Sequence, residues 1–73
     1  MLKKRSFTLS GHRTSVALEP EFWAVLEDEA ARTSKSISAF VAEIDRARGE
    51  RPLASAMRLR ALEAVKGENR AEK

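Results

Sequence analysis

In the stretch GHRTSVALEPEFWAVL, residues 11–26, side chains able to hold an anion alternate with apolar ones. Arg13, Ser15 and Ala17 share one parity, and Thr14, Val16 and Leu18 share the other. Successive side chains of an extended chain point to opposite faces, so the first set makes a polar face and the second an apolar one. Arg13 carries a rigid fork of donors, and Ser15 donates or accepts. Upstream, Lys3, Lys4 and Arg5 are basic, and no acid occurs before Glu19. The charge then reverses, with Glu19, Glu21, Glu27, Asp28 and Glu29 preceding the next base, Arg32. A cationic front end ahead of an anionic helix points to a polyanionic partner met by the N-terminal part, although an ordinary solvated surface shows similar numbers.

A second place suits an anion. Ser36 reads as the N-cap of a helix, where free N–H groups at Ser36, Ile37 and Ser38 add to the positive end of the helix dipole, with Lys35 beside them. Other chemistry fails on inventory. There is no Cys nucleophile, a single His (His12), and no Gly-rich phosphate loop, so neither catalysis nor a zinc site is expected. No cofactor is expected either.

The elements that position these groups follow from periodicity. Residues 13–18 read as a strand after a basic arm over 1–12. Phe7 and Leu9 have the parity of Arg13, so one straight strand from 7 to 18 would put them on the polar face. A bend at Gly11 resolves that conflict, and so does a hairpin turning at Ser10-Gly11, whose first limb reads as only three or four residues. Pro20 suits a first helical position, and Phe22, Val25, Leu26, Ala30 and Thr33 follow on one helical face, predicting a helix over 20–33. Phe22 is expected in the core, with its neighbour Trp23 at a subunit boundary or against a third helix. Ile37, Phe40, Val41 and Ile44 predict a second helix over 37–48. Gly49 and Pro52 bracket a break. Strong helix formers predict a third helix over 53–66 with Arg58 inside its apolar stripe, and residues 67–73 read as a flexible tail. The domain is thus residues 1–66.

At 73 residues without Cys, a single core rarely suffices and oligomerisation is the remaining staple. A lone strand leaves its backbone unpaired. The simplest solution pairs residues 13–18 antiparallel with a second copy across a two-fold axis. Thr14, Val16, Leu18, Phe22, Leu26, Phe40, Val41 and Ile44 would form a shared dimer core, with the dimer as the folding unit.

With a basic N-terminus, a strand, a helix, a polar turn and an S-I-S opening to the next helix, the chain resembles the ribbon-helix-helix family, to which the Arc and methionine repressors belong. The run HRTSVALEPEFW followed by ISAFVAEID, with its HRTS-x-x-LE-x-x-FW pattern, is similar to a bacterial subgroup of that family. The likeness covers about residues 5–48, and the segment from 49 to 66 departs from the minimal pattern. It implies a mainly helical homodimer with one short strand per chain, an intermolecular two-stranded ribbon and an added C-terminal helix.

The resemblance implies double-stranded DNA as the partner, read in the major groove by Arg13, Ser15 and Ala17. Arg13 would fork onto guanine, Ser15 would discriminate weakly, and Ala17 could only touch a thymine methyl. Lys3, Lys4, Arg5, His12, Lys35, Ser36, Ile37 and Ser38 are the expected phosphate contacts. The function expected is a small cytoplasmic bacterial transcriptional regulator, a homodimer, with higher order on DNA left open by the sequence. The alternative is a protein-binding module on the same scaffold, an antitoxin or adaptor using Leu53–Val65. No membrane span or secretory signal is legible.

Overall fold

The computed structural model describes residues 1–71, with side chains through residue 67. Strands β1 (Lys3–Leu9) and β2 (His12–Leu18) are followed by α1 (Pro20–Arg32), α2 (Ile37–Ala47) and α3 (Leu53–Ala71). A two-stranded antiparallel sheet leads three helices, the architecture expected of the resemblance. One element differs in kind. The strand expected to pair with a twin pairs instead within its own chain, from Lys3 opposite Leu18 to Leu9 opposite His12.

The turn explains the pairing. Ser10 and Gly11 take φ of +51° and +81°, and a two-residue type I′ turn, whose twist matches that of the flanking strands, requires both values positive. Directly opposed residues of an antiparallel pair share a face. Phe7, opposite Thr14, and Leu9, beside His12, therefore reach the apolar side although their parity in the sequence is that of Arg13. Lys3, Lys4 and Arg5 are poor strand formers, which is why the first limb reads as short and the arm as unstructured. Contacts with α1 hold them in β1. The Trp23 indole N–H donates to the Lys3 carbonyl at 2.8 Å, and the Arg5 guanidinium lies 4.7 Å over the Trp23 ring and pairs with Glu27.

The same contacts rotate α1. Trp23, at 2% exposure, is in the core with Leu26 and Ala30, while Phe22 is only half-buried. This reverses the expected placing of the two aromatics, because β1 lies on the Trp23 side, with Phe7 and Trp23 ring centres 5.9 Å apart. Thr33 caps α1, and Ser34 follows at φ +60°. The N–H groups of Ser34 and Lys35 return to the carbonyls of Ala31 and Ala30 at 3.0 and 2.8 Å, a Schellman ending that delivers Ser36 to the start of α2. Ser36 Oγ accepts from Ala39 N–H at 3.0 Å, the side-chain cap expected there. Gly49, at φ +63°, ends α2 in the left-handed conformation.

α3 closes the core. Met57 is fully buried, Ala56, Ala61 and Ala64 are buried with it, and α3 packs on α1, α2 and β2. Leu62 and Val65, expected on its apolar stripe, are exposed. Arg58 leaves the core by lying 5.7 Å from the Phe22 ring centre and reaching Glu19 with Nε and Nη2 at 3.1 and 3.0 Å. A hydrogen bond from its own backbone N–H, and then Arg58, hold the Glu19 carboxyl below its ordinary value of 4.5. The helix runs on through Gly67 to Ala71, whereas the tail was expected to begin at 67; residues 72 and 73 lie outside the described residues.

Of the expected shared core, Val16, Leu18, Leu26, Phe40, Val41 and Ile44 are buried within one chain, with Thr14 and Phe22 partly so. Burying each large apolar side chain contributes roughly 1.5–3 kcal/mol. The case for a shared core assumed that nothing in the chain could cover these residues. β1 and α3 supply that cover.

Candidate nucleic-acid interface

The hairpin has two unlike faces. Phe7, Leu9, Val16 and Leu18 are buried against the helices, with Arg5 partly so above Trp23. Lys4, Ser6 and Thr8 of β1 and Arg13, Ser15 and Ala17 of β2 have the opposite parity; all but the half-buried Ala17 are exposed. The strand register sets these six in three cross-strand pairs: Lys4 with Ala17, Ser6 with Ser15, and Thr8 with Arg13. The outward face thus carries two cations, hydroxyls and one methyl, and no acid.

Its local bonds are weak. The Ser6 and Ser15 hydroxyls meet at 3.0 Å. One of them donates, so the pair keeps a free O–H and several lone pairs for an incoming group. Arg13 Nη1 points at the Thr8 hydroxyl at 3.5 Å, the outer limit of a hydrogen bond, so the guanidinium is oriented without being spent. Among the described residues neither Lys4 nor Arg13 pairs with a carboxylate. The major groove is wide enough to admit a two-stranded ribbon.

The other expected residues divide. Lys3 and His12 are exposed at the two ends of the hairpin. Arg5 is on the inward face beside Trp23 and Glu27, with its side chain 40% exposed. At the start of α2, Ser36 and Ser38 are exposed and Ile37 is half-buried. Lys35 beside them bridges to Glu43, at 2.8 Å from Oε1 and 2.7 Å from Oε2. Both partners are about a third or more exposed, so the bridge is weak and open to exchange.

Lys4, Ser6 and Thr8 were not legible as partners of Arg13, Ser15 and Ala17. The signal was present: KRSFTL alternates with period two as cleanly as HRTSVAL does. Two alternating runs of opposite parity flanking a Ser-Gly pair are what a hairpin needs. Among the described residues, no group of three His, Cys, Asp or Glu is placed to hold a metal ion, and no helix is long and apolar enough to cross a membrane.

A family model described as a ribbon-helix-helix domain matches residues 2–65. Neither the curated proteins nor the solved structures compared with the chain gave a match.

Proposed function

The chain belongs to the ribbon-helix-helix family, a family of DNA-binding regulators, and from that premise we propose that it binds double-stranded DNA sequence-specifically, as a small bacterial transcriptional regulator in the cytoplasm. The observation that carries this reading is the outward ribbon face, two cations and a hydroxyl row with no acid, on a strand pair narrow enough for a major groove. Arg13 supplies the fork to a guanine. Ser15 supplies a weak donor or acceptor, and Ala17 a methyl contact.

Lys3, His12 and the start of α2, from Lys35 through Ser36, Ile37 and Ser38, take phosphates on either side. Such contacts hold the ribbon in register and add affinity that falls with salt. Arg5 is engaged by Trp23 and Glu27, and Lys4 stands on the face that meets bases. A homodimer belongs to this reading on the strength of the family. Sedimentation of the free protein and of its DNA complex measures it.

Fluorescence polarisation with duplex DNA tests the binding. The wild type should bind at low salt, and Arg13→Ala should bind more weakly and with less preference among sequences. Lys3→Ala should lower affinity evenly across sequences and reduce the salt slope by about one. Wild-type protein with no affinity for any duplex at low salt would end the regulator reading.

One observation favours a second reading. Leu59, Leu62 and Val65 of α3 are 40%, 48% and 38% exposed, an apolar set on a helix that the likeness read from the sequence left out and that the family model includes through residue 65. An antitoxin or adaptor would bind its protein partner there. Pull-down from the host with wild type and with Leu62→Lys separates the two readings, since only a protein-binding module loses a partner.

A further inference from the structure

The two cations of the ribbon occupy diagonal corners. Lys4 lies on β1 opposite Ala17, near the strand ends, and Arg13 lies on β2 opposite Thr8, near the turn. Ser6 and Ser15 face each other midway, their hydroxyls 3.0 Å apart. A rotation about an axis between those two serines exchanges Lys4 with Arg13, each strand running opposite to the other. We propose that one chain's ribbon reads two guanines, one on each DNA strand and about three to four base pairs apart, with Lys4 the second specificity-determining residue beside Arg13. The proposal depends on the DNA-binding reading above.

The spacing follows from strand geometry. Four residues separate Lys4 from Thr8, the partner of Arg13, and at about 3.3–3.4 Å per residue that sets the cations roughly 13–14 Å apart along the ribbon. Base pairs rise about 3.4 Å along the axis, and the winding of the groove lengthens each step, which gives three to four pairs. The strand assignment follows from symmetry, because a duplex has the same antiparallel two-fold relation as the two β-strands. A pseudo-two-fold ribbon laid on a local dyad presents its equivalent corners to opposite DNA strands.

Chemistry then distinguishes the corners. Arg13 forks onto guanine O6 and N7, while Lys4 offers the same atoms a mobile point charge. The centre has only hydroxyls, which accept any base pair. Beside the cations the equivalence breaks, for Arg13 has the Thr8 hydroxyl 3.5 Å away while Lys4 has only the methyl of Ala17 opposite it. Two identical strands across a true two-fold would repeat each side chain and demand a perfect palindrome. A hairpin closed within one chain does not, so the element it reads has two guanines of unequal stringency.

Selection of the full-length chain on random duplex DNA, repeated with Arg13→Lys, Lys4→Arg and Lys4→Gln, tests this directly. For each ribbon bound, and so once per chain of a dimer, the wild type should enrich two G·C positions of opposite polarity at the stated spacing, the Arg13 position the more stringent. Arg13→Lys should relax that position alone. Lys4→Gln should flatten the other alone, by roughly fivefold or more in relative affinity, and Lys4→Arg should sharpen it. Circular dichroism should be unchanged throughout, since both residues are exposed. The proposal is overturned if Lys4→Gln lowers affinity equally for all sequences, placing Lys4 on a phosphate, or if the enriched guanines are adjacent or on one strand. Binding without any enriched motif overturns the proposal and leaves DNA binding in place. Absence of all DNA affinity removes both.

Discussion

The two faces of the hairpin are made by the same two strands and obey different physics. On the inner face Phe7, Leu9, Val16 and Leu18 are each at most 6% exposed, close-packed against three helices, where a change of one methylene is felt. On the outer face five of six side chains are exposed and contribute little to folding. Alternation alone separates a surface that is constrained by packing from one that is free to be chosen for binding. The comparison also explains the polarity of α3. Its Ala56, Ala61, Ala64 and Met57 close the core, while Leu59, beside α2, Leu62, and Val65, beside α1, stay partly exposed.

Breaking the inner face should have the largest effect. Leu18 is fully buried, and Leu18→Ala should cost about 2–5 kcal/mol of folding stability through lost burial and the cavity left behind. Urea denaturation measures it, and a loss under 1 kcal/mol would mean that the core does not close as described. The outer face should give the complementary result. Arg13→Ala should leave the denaturation midpoint within about 0.5 kcal/mol of wild type while costing about 1–3 kcal/mol of discrimination between DNA sequences in competition titrations.

The turn belongs to neither face and aligns both. Nothing lies within 4 Å of a Cβ placed on Gly11, but its φ of +81° strains any other residue. Gly11→Ala should cost about 1–2 kcal/mol. If it instead lets the register slip by one residue, the faces exchange and Trp23 fluorescence should shift as the indole loses its cover.

The smallest effect concerns the joint between β2 and α1. The Glu19 carboxyl titrates below its ordinary 4.5, held first by its own N–H and then by Arg58. A lowered folded-state pKa means that this stabilisation is present at neutral pH and is lost as pH falls below about 4.5 and through the folded value. Glu19→Gln should therefore flatten the acid limb of stability in that window and change little at pH 7. An acid limb of unchanged slope would show that other carboxylates govern it.

Much of the molecule was legible in the chain. Ile37, Phe40, Val41 and Ile44 defined α2 to within a residue, Pro20 opened α1, and Ser36 announced its own cap, because capping and helical periodicity are local rules. The apolar parity of Val16 and Leu18 was legible for the same reason. The mate of β2 was not. A stretch beginning Lys-Lys-Arg has low strand propensity, and it becomes a strand through its pairing with β2 across the Ser10-Gly11 turn and its contacts with Trp23 and Glu27, about twenty residues on. That missing element also misplaced Trp23 and Phe22, left Ser6 and Thr8 out of the candidate site, set Lys4 among the phosphate contacts rather than on the outward ribbon face, and hid the contacts of Arg5 with Trp23 and Glu27.

The sequence by itself determined which residues can be helical, where helices start and stop, and which side chains of each run share a face, since these depend on neighbours within a turn or two. Only the tertiary structure decided which strand pairs with which, which side of α1 is inside, and which six side chains stand together facing outward. Those outcomes depend on contacts between residues distant in the chain, and a pattern of period two or 3.6 is indifferent to whether its partner lies in the same molecule or another.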